Sequence, residues 1–186
     1  MNYAYRGEFP HMPRFKMIAR LAAGLAGFAF LLTAQEPRTS PPATVQVALN
    51  DKTVSIAYSR PSIRGRKIMG GLVPYGEVWR TGANEATTLK TAADLTIGGV
   101  NVPAGTYTLY SLPSETGWKL IINKQTGQWG TEYDKSQDLA RVDMTRSTLS
   151  KPVEMFTMAL DKTGPSTADL VLTWELTKLT VAVKAK

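Results

Sequence analysis

The chain has 186 residues, a formal net charge of +7, a single histidine and no cysteine. Without cysteine, disulfide staples, thiol chemistry and cysteine metal sites are excluded, so the fold must hold by packing. One domain suits this length, and a chain of this size buries about 70% of its unfolded surface.

Read in order, the first element is a targeting pattern. Arg14, Lys16 and Arg20 precede the apolar run from Leu21 to Thr33, which closes on Ala34 before polar Gln35 and Glu36. A charged n-region, a short h-region and a small exit residue describe a secretory signal peptide. The run of thirteen residues is shorter than the about 20 that span a bilayer. The expected organisation is therefore a signal peptide over 1–34, a flexible tether over 35–44 and a single all-β domain over 45–186. An uncleaved anchor stays open, because Leu32 stands where a small residue is preferred. Residues 1–11 fit poorly ahead of the basic region, which makes Met12 or Met17 alternative starts.

Cleavage after Ala34 removes four basic residues, Glu8 and His11, leaving 18 basic against 14 acidic side chains and lowering the charge from +7 to +4. A mature chain without histidine or cysteine has no Ser-His-Asp or Cys-His catalysis, no zinc site of the usual kinds and no histidine switch. Its modest charge and scattered basic residues also argue against nucleic acid as a partner. No cofactor, metal or stable membrane span is expected of the mature protein, which is placed in the periplasm or outside the cell.

After the tether, Val45, Val47 and Leu49 alternate with Gln46 and Ala48, Asn50-Asp51-Lys52 turns, and Val54, Ile56 and Tyr58 resume the alternation. Period two on both sides of a turn predicts a hairpin. Further strands are expected at Ala86–Thr91, Leu95–Ile97, Thr106–Leu112 and Trp118–Asn123, with turns at Gly98-Gly99 and Pro103-Ala104-Gly105. Leu139–Thr145, Val153–Leu160 and Ala168–Val183 complete the set, the last broken near Leu176–Lys178. Leu170, Leu172, Trp174 and Leu176 share one face and predict a core strand, whereas Thr106, Thr108 and Tyr110 share a half-polar face that borders solvent or a pocket. Only Asp134–Ala140 offers a helical turn. The expected fold is all-β: an antiparallel sandwich or barrel-like domain of about nine or ten strands.

One stretch does not read as plain sheet. SRPSIRGRKIMGGLVPYGEVWRTGANEATTL, from Ser59 to Leu89, holds Arg60, Arg64, Arg66, Lys67 and Arg80, two carboxylates, two aromatics and five glycines between strands. A binding loop on a rigid scaffold has this composition. The candidate ligand-binding residues are Arg60, Trp79, Arg80, Asn84 and Glu85, joined by Lys124 and Trp129 from the loop KQTGQWG. Arg80 offers a planar fork to a carboxylate or phosphate, or else pairs with Glu85 and pins the loop. Trp79 and Trp129 present stacking faces or fill core, while Trp118 and Trp174, inside strands, are assigned to core. The glycines lack the Gly-Lys-Ser/Thr ending of a phosphate loop. Glu132, Asp134 and Asp138 lack calcium-loop spacing and read as a solvated acidic loop.

That stretch, with IGGVNVPAGTYTLYSLP and INKQTGQWG, resembles the bacterial family catalogued as domain of unknown function 2911, over roughly Val45–Val183. The resemblance implies exported or envelope-associated proteins, predominantly β, with no established activity, and it carries over no catalytic residue. Two functions are kept: a non-catalytic binding or structural domain of the envelope, taking an anionic or sugar-like small ligand; and a carboxylate-dependent hydrolase acting on an envelope glycan, with Glu85 as the candidate catalytic group.

Overall fold

The computed structural model describes residues 38–186; the expected signal peptide, its cleavage site and the first three residues of the tether lie outside the described residues. Nine strands follow one another: β1 (Pro42–Leu49), β2 (Lys52–Ser59), β3 (Thr88–Thr91), β4 (Leu95–Ile97), β5 (Val100–Val102), β6 (Gly105–Pro113), β7 (Trp118–Asn123), β8 (Asp138–Lys162) and β9 (Thr167–Ala185). They form one antiparallel sheet in the order β1-β2-β3-β6-β7-β8-β9-β4-β5. A 3-10 turn at Lys135–Gln137, capped by the Asp134 side chain, takes the place of the single helical turn expected there.

Turn chemistry sets the local register. Leu49 pairs with Lys52 across the two-residue turn Asn50-Asp51, whose φ values of 47° and 59° are the left-handed pair that a tight hairpin requires. Gly98 and Gly99 supply the same hand between β4 and β5, and Gly98 also lies against Val142, where a Cβ would come within 2.8 Å.

β8 turns the sheet back on itself. Its first part pairs with β7 up to Met144, and the rest, from Thr145, pairs with β9. The two halves then face each other. Tyr58 of β2 meets Phe156 of β8 edge to face at 5.8 Å, and its hydroxyl accepts from the Met158 amide at 2.9 Å. Beyond β2 the chain pairs with the free side of β8: Ile63 N–H donates to Glu154 O and Phe156 N–H to Pro61 O, each at 2.9 Å. Alternate residues of both halves fill the core, among them Val54, Ile56, Leu109, Leu120, Leu172 and Trp174. Apolar burial at about 25 cal/mol per Å² is what holds them together.

Two strand readings are corrected by pairing partners that lie far away in sequence. The two strands expected at Leu139–Thr145 and Val153–Leu160 are one, because β9 pairs from Thr145 to Thr148 and again from Val153, carrying the strand through the expected gap. Between them five steps of β8, from Thr148 to Val153, match only two of β9, so the excess bulges outward. The break expected near Leu176 is likewise a bulge, at Glu175 with φ 48°. It reverses the alternation, burying Thr177 and Leu179 and leaving Leu176, expected in the core, 45% exposed. β6, expected to border solvent or a pocket, does the second: the core covers one face, the loop after β7 covers much of the other, and Tyr110 on that face lies at a pocket.

Candidate functional site

The connection between β2 and β3 leaves the sheet at Arg60 and returns at Thr88, and main-chain bonds shape it throughout. Trp79 and Ser111 exchange amide and carbonyl bonds at 2.8 and 2.9 Å, stitching the connection to β6. The Thr81 hydroxyl donates to Ser111 Oγ at 3.0 Å, and the Thr87 hydroxyl to Thr81 O at 2.8 Å. At Gly82 a Cβ would stand 2.9 Å from Thr87 Oγ1, so the chain passes only because no side chain is there. The Glu175 carboxylate accepts from the amides of Ile68 and Met69 at 3.4 Å each, tying the β9 bulge to this connection.

Between this connection, β6 and the loop after β7 opens a cavity of about 540 Å³, within the range of small-molecule sites. Its walls are aromatic and apolar, with Trp79, Trp174, Tyr110, Tyr133 and Leu72 among them, and Arg64, Arg66, Arg80 and Glu77 supply its charge. Trp79 stacks on Trp174 at 5.7 Å and meets Trp118 and Phe156 edge to face at 6.3 and 5.1 Å, so it is at once core and cavity wall.

The arginines are held without neutralisation. Arg66 donates to Ile63 O at 3.1 Å and Ser62 O at 2.6 Å, and Arg64 to Thr39 O at 3.2 Å. Arg80 lays its stem against Gly130, where a Cβ would come 2.8 Å from its Cδ. Among the described residues, the ion pairs are Arg38–Glu85, Lys119–Asp143 and Arg141–Asp138, and none includes a cavity arginine. Glu77 is the one carboxylate among the described lining residues, so no second acid faces it across the cavity.

Behind the aromatic wall lies a hydrogen-bonded polar cluster. Tyr133 donates to Asp138 Oδ2 and accepts from Arg141 Nη2, both at 2.7 Å, while Asn123 donates to Asp138 Oδ1 at 2.9 Å. Burial first, and then the bond to Asp138, push the Tyr133 phenol up to about 12. Tyr110 is also raised by burial; its hydroxyl donates to Glu132 O and accepts from Gln128. The acidic loop read as solvated is thus divided: Asp138 works in this cluster, whereas Asp134 caps the 3-10 turn. Among the described residues no three His, Cys, Asp or Glu side chains converge on a metal position.

Of the seven residues singled out from the sequence, Trp79 and Arg80 line the cavity. Arg60 turns to β8, donating to Phe156 O at 3.2 Å and Thr157 Oγ1 at 2.8 Å. Asn84, at φ 59°, spends its amide on Ser40 O and Ser59 Oγ. Glu85 does not pair with Arg80: it accepts twice from Arg38, at 2.6 and 2.7 Å. That bond, the largest influence on it, holds the exposed carboxyl below the usual range, the opposite of what a proton-donating acid needs at neutral pH. Trp129 bridges Glu85 through the backbone but is 46% exposed, outside the cavity lining. Lys124 is exposed, its amide bonded to Gln137 O.

Arg64, Arg66, Glu77, Tyr110 and Tyr133 are the cavity residues that spacing did not select. Arg64 and Arg66 flank a glycine, which puts two guanidiniums on one turn, and Tyr110 lies on the half-polar face of β6; those were the signals available. The matching family model, described as a protein of unknown function (DUF2911), covers residues 40–183, and neither the curated proteins nor the solved structures contain a match. With that match over most of its length, the chain belongs to the DUF2911 family.

Proposed function

We propose that this is an exported bacterial β-domain, processed after Ala34, that binds a small organic anion in the cavity without transforming it. One observation carries the reading: Arg64, Arg66 and Arg80 meet at an aromatic-walled cavity, and among the described residues no carboxylate forms an ion pair with any of the three guanidiniums, Glu154 accepting only from the Arg64 main-chain amide. A guanidinium beside apolar walls gains from a counter-ion, and its planar fork matches carboxylate or phosphate in two bonds. Trp79, Tyr110 and Tyr133 give the remainder of such a ligand a flat, apolar surface suited to a sugar or ring. The hydrolase reading loses its support, because Glu85 is ion-paired at the surface and Glu77 has no acid opposite it.

The test is a thermal-shift screen of the processed protein with carboxylated sugars, envelope glycan fragments and phosphate esters. A ligand at 100 times its Kd should add about 2.7 kcal/mol. Arg64→Ala and Arg80→Ala should each weaken that ligand about tenfold or more, the scale of a charge-assisted bond, while Glu77→Gln should retain it. Affinity unchanged in both arginine variants would place the site elsewhere; turnover of a bound glycan that Glu77→Gln abolishes would make the protein an enzyme.

A further inference from the structure

The segment Arg38–Pro41 precedes the first strand, yet it does not trail free of the domain. Arg38 forks onto Glu85 at 2.6 and 2.7 Å. Thr39 O accepts from Arg64 Nη2 at 3.2 Å, Ser40 O from Asn84 Nδ2 at 3.2 Å, and Pro41 O from the Arg60 amide at 2.9 Å. All four anchors belong to the connection between β2 and β3, and Thr39 and Ser40 themselves line the cavity. A stretch with the composition of a tether is therefore one wall of the site.

We propose that Arg38–Pro41 is a strap latched by the Arg38–Glu85 pair, and that its docking is coupled to anion binding in the cavity. The inference rests on reading that cavity as an anion site. Arg64 is the shared group. One of its nitrogens is bound to the strap carbonyl while the arginine faces the cavity, so the docked strap orients the fork before a ligand arrives. Holding a flexible side chain in its bound geometry beforehand lowers the ordering cost of association. Coupling is reciprocal: an anion held by Arg64 stabilises the docked strap to the same degree. Arg38 is neutralised by Glu85 and adds no net charge to the site, so strap and ligand are linked through geometry rather than through an extra cation. Cleavage after Ala34 retains the whole strap.

The latch is accessible to a mild perturbation, because the Glu85 side chain is 54% exposed and Glu85→Gln keeps its shape. Two readouts on the processed chain separate the latch from the cavity: exchange of the Arg60 amide, which reports docking of Pro41, and the affinity for inorganic phosphate at low ionic strength. Glu85→Gln should speed that exchange and weaken phosphate binding, each about 2- to 5-fold, the scale of an exposed ion pair. The swap Arg38→Glu with Glu85→Arg should restore both. Unchanged exchange in Glu85→Gln would overturn the latch. Faster exchange with phosphate affinity unaltered would overturn the coupling and leave the strap a passive wall. If the unaltered protein fails to bind phosphate or any other small anion, the cavity reading falls and the coupling with it, whereas the exchange result still decides the latch.

Discussion

Trp79 and Arg80 are neighbours in the chain but belong to regions held in opposite ways. Trp79 is locked by rings, stacked on Trp174 and met edge to face by Trp118 and Phe156. Around Arg80, carbonyls and guanidiniums hold the connection, and three arginines keep their charge turned toward a cavity. The difference teaches that one connection serves two purposes. Its inward side adds to the stability of the sheet, and its outward side can be altered at little cost to folding.

The sharpest test of that division is the ring cluster. Trp174→Ala, at a position only 2% exposed, should lose about 3–5 kcal/mol of stability in urea unfolding, the usual cost of emptying an aromatic core site. A loss below about 1 kcal/mol would show that the cluster does not anchor the connection. Next comes Gly130→Ala, whose new Cβ would meet Asn84 O at 2.7 Å and the Arg80 stem at 2.8 Å. Overpacking there should cost about 1–3 kcal/mol and displace Arg80, lowering stability and anion affinity together. Arg80→Ala removes only the outward group. It should change the urea midpoint by the equivalent of about 0.5 kcal/mol or less while lowering anion affinity; a larger loss of stability would merge the two regions.

The smallest expected effect is confined to alkaline pH. The Tyr133 phenol is raised from 10.0 to about 12 in the folded chain, so folding favours its protonated form. Its contribution is fully present below pH 10 and is lost as pH rises toward about 12. Unfolding midpoints of the protein and of Tyr133→Phe should therefore converge across that window. Parallel curves would mean that Tyr133 titrates alike in both states.

How far the sequence could be read depended on the range of the interactions. The Asn50-Asp51 hairpin, the Gly98-Gly99 turn and the core side of Leu170, Leu172 and Trp174 are decided by neighbours within a few residues, and all were legible. Leu176 was not, because the bulge at Glu175 arises where β8 carries more residues than β9 can pair. Glu85 was read against Arg80, its neighbour in the loop, but its partner is Arg38, 47 residues away. Arg60 looked like a binding group until its fork was seen to close on β8, 96 residues on.

By itself the sequence determined the all-β class, the antiparallel hairpins, the stretch from Ser59 to Leu89 as the irregular part, and the family, since periodicity, turn residues and motif wording are local properties. Only the tertiary structure decided that β8 folds the sheet over, that Trp79 plugs the core, that Tyr110 and Tyr133 wall the cavity and that Arg38–Pro41 straps it. The physical reason is that a guanidinium, a carboxylate or an indole is satisfied by whatever the fold brings within a few ångströms, and contacts at separations of 30 to 100 residues leave no periodic mark on the chain.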